Sequence, residues 1–260
     1  MCNRRDNLKV VILCGGKGLR MKEITDDVPK PLAMVGNKPI LWHIMKTYYK
    51  HGFNEFVLLL GYKGERIKEC FMDYEWKNNN FILKEDGSYE MLEPSEKWKI
   101  TFLDTGSETM TGGRLIRAKS LLENESFMLT YGDGLSDINI RKLLDFHKKS
   151  GKIATVTGIQ KSNQYGVISV EDNIATQFIE KPVSNEIING GFFVFNKEIF
   201  NYLKNGDRCV LEKEPLVSLV EDRQLAVYKH EGFWKAMDTY KDIMDVNILW
   251  EKGEALWKVW

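Results

Sequence analysis

An early apolar run of the chain ends in Gly15-Gly16-Lys17-Gly18-Leu19-Arg20. Glycine amides can approach an anion closely, because no Cβ blocks the way and positive φ costs little. The stretch is not a Walker A loop, since it lacks GK[ST] at the right spacing. Met21 stands where a dinucleotide fingerprint has its third glycine. A tight strand-to-helix turn without any ligand explains the same glycines. Downstream, Lys30 stands between Pro29 and Pro31. Both prolines fix φ and bias the preceding residue toward extended structure, so a stiff, extended backbone is expected under Lys30. Arg20 and Lys30 are then cations suited to a polyphosphate. Taken alone, Lys30 reads as a solvated surface lysine.

Carboxylates come next. Asp133 lies between Gly132 and Gly134, directly after the apolar run Phe127–Tyr131. In open α/β sheets ligands bind beyond the carboxyl ends of the strands. A sterically free aspartate there suits Mg²⁺, which takes hard oxygens and keeps room for water and phosphate. An ordinary Asp-Gly turn is the competing explanation. Asp238, in Trp234-Lys235-Ala236-Met237-Asp238-Thr239, is a second candidate that spacing alone does not pair with the first. Glu180-Lys181-Pro182 ends one apolar run and Asn189-Gly190-Gly191 opens another. Glu and Asn suit hydroxyl recognition and Lys a phosphate, although each stretch alone reads as an exposed pair or a turn.

The elements that must position these residues are legible from periodicity. Lys9–Cys14, Glu55–Leu60, Lys99–Leu103, Ser126–Tyr131 and Ile153–Thr157 read as strands. Pro39–Gly52, Glu65–Met72 and Ile140–Ser150 read as helices, the last ending at Gly151. This alternation implies parallel βαβ units and a layered α/β sheet. Later, Tyr165–Val170, Ile174–Glu180 and Gly191–Phe195 look like shorter strands, and Ile243–Gly253 like a helix. One continuous domain over residues 1–260 is expected, with a β-rich and helical C-terminal embellishment.

The 260 residues carry 37 Lys+Arg and 37 Asp+Glu, for a formal net charge of zero. That balance disfavours a nucleic-acid binder, which needs a basic surface, and a polybasic membrane arm. No apolar stretch is long enough to span a membrane. The N-terminus lacks the pattern of a signal peptide. Cys2, Cys14, Cys70 and Cys209 are scattered, so free thiols and a cytoplasmic protein are expected. The four histidines form no cluster with zinc-ligand spacing.

Taken together, the motifs resemble the sugar-1-phosphate nucleotidyltransferases over nearly the whole chain. The broad signature is Gly15–Arg20 followed by Pro29–Pro31. A narrower one runs through Gly36–Lys46, Gly61–Gly64, Asp104–Gly106, Met110–Arg114, Tyr131–Gly134, Glu180–Pro182, Asn189–Phe193 and Met237–Thr239. It is similar to the branch that uses CTP and glucose 1-phosphate. The resemblance implies a three-layer, Rossmann-like mixed sheet, mostly parallel. It implies that residues 8–158 form a nucleotide-binding half, 159–240 a sugar-binding half and 241–260 a C-terminal helical segment.

By the same resemblance, Leu13, Cys14, Gly15, Gly16, Lys17, Gly18, Leu19 and Arg20 would wrap the nucleotide, with Gly132 beside them. Lys30 would contact the triphosphate. Thr111, Gly112, Gly113 and Arg114 would shape the cytosine pocket. Asp133 and Asp238 would hold Mg²⁺. Tyr165, Gly166, Glu180, Lys181, Asn189 and Gly190 would form the sugar-phosphate site. A homo-oligomer is implied as well, with the aromatic residues Trp250, Trp257 and Trp260 either covering the protein's own core or lining an interface.

Some positions depart from the family pattern. Leu19 replaces the usual hydroxyl residue, Lys235 stands where an uncharged pair is usual, and Gln160–Tyr165 differs near the expected acceptor pocket. Two other readings stay open: uridylyl or thymidylyl transfer on the same fold, and a non-catalytic nucleotide-binding subunit. Retention of Asp133, Asp238 and Lys181 argues against the second.

Overall fold

The computed structural model describes residues 8–16, 28–72, 74–92, 96–162, 167–180 and 183–260. Seven strands form the central sheet: β1 (Val10–Cys14), β2 (Glu55–Leu60), β3 (Lys99–Asp104), β4 (Phe127–Tyr131), β5 (Ala154–Ser162), β6 (Val183–Phe195) and β7 (Leu225–His230). Their order is β7-β5-β6-β4-β1-β2-β3. The pairs β1–β2, β1–β4, β2–β3 and β5–β7 are parallel, whereas β6 runs antiparallel to both β4 and β5. The sheet is therefore mixed and mostly parallel.

Side-chain alternation in β1 explains why helices cover both faces. Val10, Ile12 and Cys14 enter one core, while Val11 and Leu13 enter the other. On the first face pack α1 (Ile40–Lys50), α2 (Gly64–Met72), α4 (Ile140–Ser150) and α6 (Tyr240–Glu251), the last through Ile243 and Val246. On the second pack α3 (Thr111–Arg117), through Leu115, and α5 (Glu214–Glu221), through Leu219. The α4 helix has the expected bounds and closes on Gly151 in the left-handed conformation.

Several expectations are corrected. Lys30 does not sit on extended backbone. Pro29 is extended, but Lys30–Leu32 form a single 3₁₀ turn closed by Leu32 N donating to Pro29 O at 2.8 Å. The turn's hydrogen bonds outweigh the bias that Pro31 places on its predecessor. β5 runs on to Ser162 and β6 already begins at Val183, because each completes the other's backbone pairing. The C-terminal helix starts at Tyr240, where Thr239 and Asp242 form a capping box.

The Val167–Glu171 and Ile174–Ile179 strands form a hairpin outside the central sheet. Its apolar residues Ile168, Val170, Ile174 and Phe178 are all exposed. The C-terminal tryptophans are spent differently. Trp257 is fully buried in the first core, with Trp250 and Trp260 packed against it. Its Nε1 donates to His43 Nδ1 at 3.4 Å, and the other ring nitrogen of His43 lies 3.0 Å from Val35 O. Burial pushes the His43 imidazole down to about 4, so it is neutral in this core. The aromatic C-terminus thus covers the protein's own core.

Candidate active site

The carboxyl ends of β1 and β4 lie side by side, with Leu13 opposite Tyr131. Gly132 N donates to Leu13 O at 3.1 Å and fastens the two ends together. Beyond them opens a cavity of about 310 Å³. Leu13, Cys14, Gly15, Gly16, Lys30, Thr111, Arg114, Tyr131, Gly132 and Asp133 all line it, as do Pro31, Thr109 and Met110. It is large enough for part of a nucleotide-sized ligand. Cys14 is buried there, and burial followed by the charge of Asp133 pushes its thiol well up, so it is a neutral wall.

A short antiparallel pairing joins the two aspartates that spacing could not. Residues 134–136 pair with Trp234–Ala236, and Met237 N donates to Asp133 O at 2.8 Å. Asp238 is thereby carried back to Asp133. Both carboxylates converge on one ammonium: Lys30 Nζ lies 2.6 Å from Asp133 Oδ2 and 3.0 Å from Asp238 Oδ1. Burial alone would push the Lys30 ammonium down. The charges and hydrogen bonds of Asp133 and Asp238 outweigh it, and the net shift is upward. Lys30 is therefore firmly charged.

Arg114 is 4% exposed, and its guanidinium is spent on backbone carbonyls and one hydroxyl rather than on an acid. It donates to Leu60 O at 2.8 Å, Thr105 Oγ1 at 2.6 Å, Gly106 O at 2.9 Å and Gly15 O at 3.0 Å. The fork thus ties the glycine loop to the ends of β2 and β3. Gly112 and Gly113 let α3 press against the segment at residues 207–209. A Cβ on Gly113 would fall 2.7 Å from Asp207 O and 2.8 Å from its Cα. Two glycines also explain why α3 was not foreseen as a helix.

Across nearly its whole length the chain carries a known pattern. The Nucleotidyl transferase family matches residues 9–253. The chain belongs to that family. The probable glucose-1-phosphate cytidylyltransferase of Bacillus subtilis (strain 168) is 56% identical to it over 254 residues, covering 97% of this chain and all of that protein. The glucose-1-phosphate cytidylyltransferase of Salmonella typhi is 42% identical over 263 residues, again covering 97% of this chain and all of that one. The crystal structure of HddC from Yersinia pseudotuberculosis shares the fold, with a TM-score of 0.68 at 20% identity over 94% of this chain and 99% of that chain.

In this nucleotidyl transferase the other expected residues fall into three groups. Lys17, Gly18, Leu19, Arg20, Tyr165, Gly166 and Lys181 lie outside the described residues. Glu180 follows the exposed hairpin. Asn189 and Gly190 sit within β6, where Trp234 Nε1 donates to Gly190 O at 2.7 Å and links that strand to the segment carrying Asp238. Lys235 is paired with α6, with Nζ 2.7 Å from Asp245 Oδ2 and 3.5 Å from Asp242 Oδ1. Its departure from the family pattern is thus matched by carboxylates on α6. Among the described residues no group of three or more His, Cys, Asp or Glu could hold a metal ion. Glu212 is a residue that motif reading missed. It accepts hydrogen bonds from Thr111 and Tyr131.

Proposed function

We propose that the chain transfers a cytidylyl group from CTP to α-D-glucose 1-phosphate, releasing CDP-glucose and pyrophosphate, in the supply of sugars for surface polysaccharides. The observation that carries this reading is the convergence of Asp133, Asp238 and Lys30 at the mouth of the cavity. The cytidylyltransferase names of relatives matched along their full length supply the base and the sugar.

The sugar phosphate is ionised near neutral pH, so its oxygen attacks the α-phosphorus without a general base. Repulsion between two anions and charge on the departing pyrophosphate oppose the reaction. Cations and in-line positioning address both. Lys30 stays charged and neutralises phosphate oxygens. The Gly15 and Gly16 backbone lets phosphate approach, and Leu13 and Thr111 shape the nucleotide pocket. The Asp133 and Asp238 oxygens would hold Mg²⁺, whose two positive charges offset phosphate charge when bound. These two hard donors, already arranged about one cationic group, fit that ion. Asn189 and Gly190 would border the sugar, with Glu180 and Lys181 completing that side. Residues 8–158 would then serve the nucleotide and 159–240 the sugar, closed by 241–260. A reducing, cytoplasmic setting fits Cys14, Cys70 and Cys209, which are unbridged.

Pyrophosphate release measured with each nucleoside triphosphate against a panel of sugar phosphates tests the reading. CTP with glucose 1-phosphate should give the highest kcat/KM. A preference for UTP or dTTP would replace cytidylyl transfer by the corresponding activity on the same site.

We also propose a homo-oligomer, supported by the exposed apolar hairpin at residues 167–179. Light scattering should report a multiple of 30.2 kDa; a monomer at micromolar concentration would end that proposal.

A further inference from the structure

We infer that Glu212 is a positioning residue that locks the nucleotide side of the site to the sugar side. The inference rests on the sugar-side role proposed above for Asn189. Thr111 Oγ1 lies 2.6 Å from Glu212 Oε2, and the Tyr131 hydroxyl lies 2.6 Å from Glu212 Oε1. Asn189 Nδ2 lies 3.3 Å from the Tyr131 hydroxyl oxygen. One carboxylate therefore bridges the first residue of α3 and the last residue of β4, and the Tyr131 hydroxyl carries the link on to a residue of β6.

The donor inventory fixes the direction of every link. The Asn189 oxygen accepts from Gly191 N at 2.8 Å, so its amide NH₂ must face Tyr131. That NH₂ only donates, so the single Tyr131 proton goes to Glu212. Leu211 N donates to Thr111 Oγ1 at 2.9 Å, so the Thr111 proton goes to Glu212 too. The carboxylate accepts both, one at each oxygen. Burial, and then the charge of Glu212, push the Tyr131 phenol well above its usual range, which keeps it a donor. The ring also packs on Gly191, which holds φ +78; a Cβ there would meet Tyr131 Cδ2 at 2.5 Å. Backbone therefore fixes one end of the chain of bonds, and Glu212 fixes the other. Nothing in Leu211-Glu212-Lys213-Glu214 marks the second residue as special, because the segment reads as a charged helix entry.

A side chain fixed this way places the Asn189 amide relative to the nucleotide pocket before either substrate arrives. Small misplacements of such groups carry large kinetic costs. Glu212→Gln keeps the shape but offers one acceptor where two protons need one. Tyr131→Phe keeps the ring and removes the link. Each variant should raise the KM for glucose 1-phosphate about tenfold, the equivalent of one lost hydrogen bond. In Tyr131→Phe, which leaves the Thr111–Glu212 bond in place, the KM for CTP should change by less than about threefold; Glu212→Gln, which also loosens Thr111, should raise it further, and both variants should melt close to wild type. The double variant should be no worse than the worse single, because the two residues act in series. Multiplying losses, equal rises in both KM values with Tyr131→Phe, or losses that follow melting temperature would overturn the assignment. A wild type inactive with CTP and glucose 1-phosphate counts against the cytidylyl reading instead. The same three variants are then compared with the nucleotide and sugar phosphate that the wild type does use.

Discussion

Asp133→Asn is expected to lower turnover about a thousandfold, equivalent to about 4 kcal/mol of transition-state stabilisation, while the fold stays intact. The carboxylate faces Lys30 and Asp238 at the end of β4, where the attacking and departing phosphate oxygens would be neutralised. Asparagine fits the same space but loses the charge. Stability should hold because Lys30 keeps Asp238 as its ionic partner and the asparagine oxygen can still accept from Lys30. Asp238→Asn should act similarly, and the double variant should fall little further, since the two carboxylates serve one cation. Circular dichroism and thermal melting check the fold, and initial rates of pyrophosphate release check turnover. Near-normal turnover in Asp133→Asn would remove it from the metal site.

Arg114→Ala should behave in the opposite way, failing through structure first. The buried guanidinium bonds the backbone at Gly15, Leu60 and Gly106. Its loss removes four hydrogen bonds, to Gly15 O, Leu60 O, Gly106 O and Thr105 Oγ1, and opens a cavity. At about 1 kcal/mol for each lost hydrogen bond, with the cavity in addition, a total destabilisation of about 4 kcal/mol is expected. Chemical denaturation should show this as a lower midpoint at unchanged slope. Arg114→Lys should recover only part, since an ammonium cannot reproduce the planar fork. A variant as stable as wild type would show that the glycine loop is held by other contacts.

These two residues also show what a sequence discloses. The strands β1 and β2 and the helix α4 were legible because each has a clean apolar period and a glycine or polar boundary. The α3 helix was not, because Gly112 and Gly113 serve close packing on residues 207–209 at the expense of helix propensity. Asp133 stands out from its place after a strand, and Asp238 as a second carboxylate that spacing alone does not pair with it. Their pairing depends on a three-residue antiparallel contact that leaves no periodic trace. The resemblance placed Arg114 in the cytosine pocket; it does line the cavity, but its hydrogen bonds go to three backbone carbonyls and the Thr105 hydroxyl. Lys235 looked like an extra charge near the acceptor, and its partners on α6 appear only once the chain is folded. Glu212 carries no motif at all, since its importance arises from three elements meeting at one carboxylate.

The most direct measurement is ³¹P NMR of wild-type protein with CTP, glucose 1-phosphate and Mg²⁺. The account predicts loss of the CTP triphosphate signals and growth of the paired diphosphate resonances of CDP-glucose with equimolar pyrophosphate, and almost none of this with Asp133→Asn. Unchanged CTP in the wild-type sample, or conversion that persists in Asp133→Asn, would contradict it.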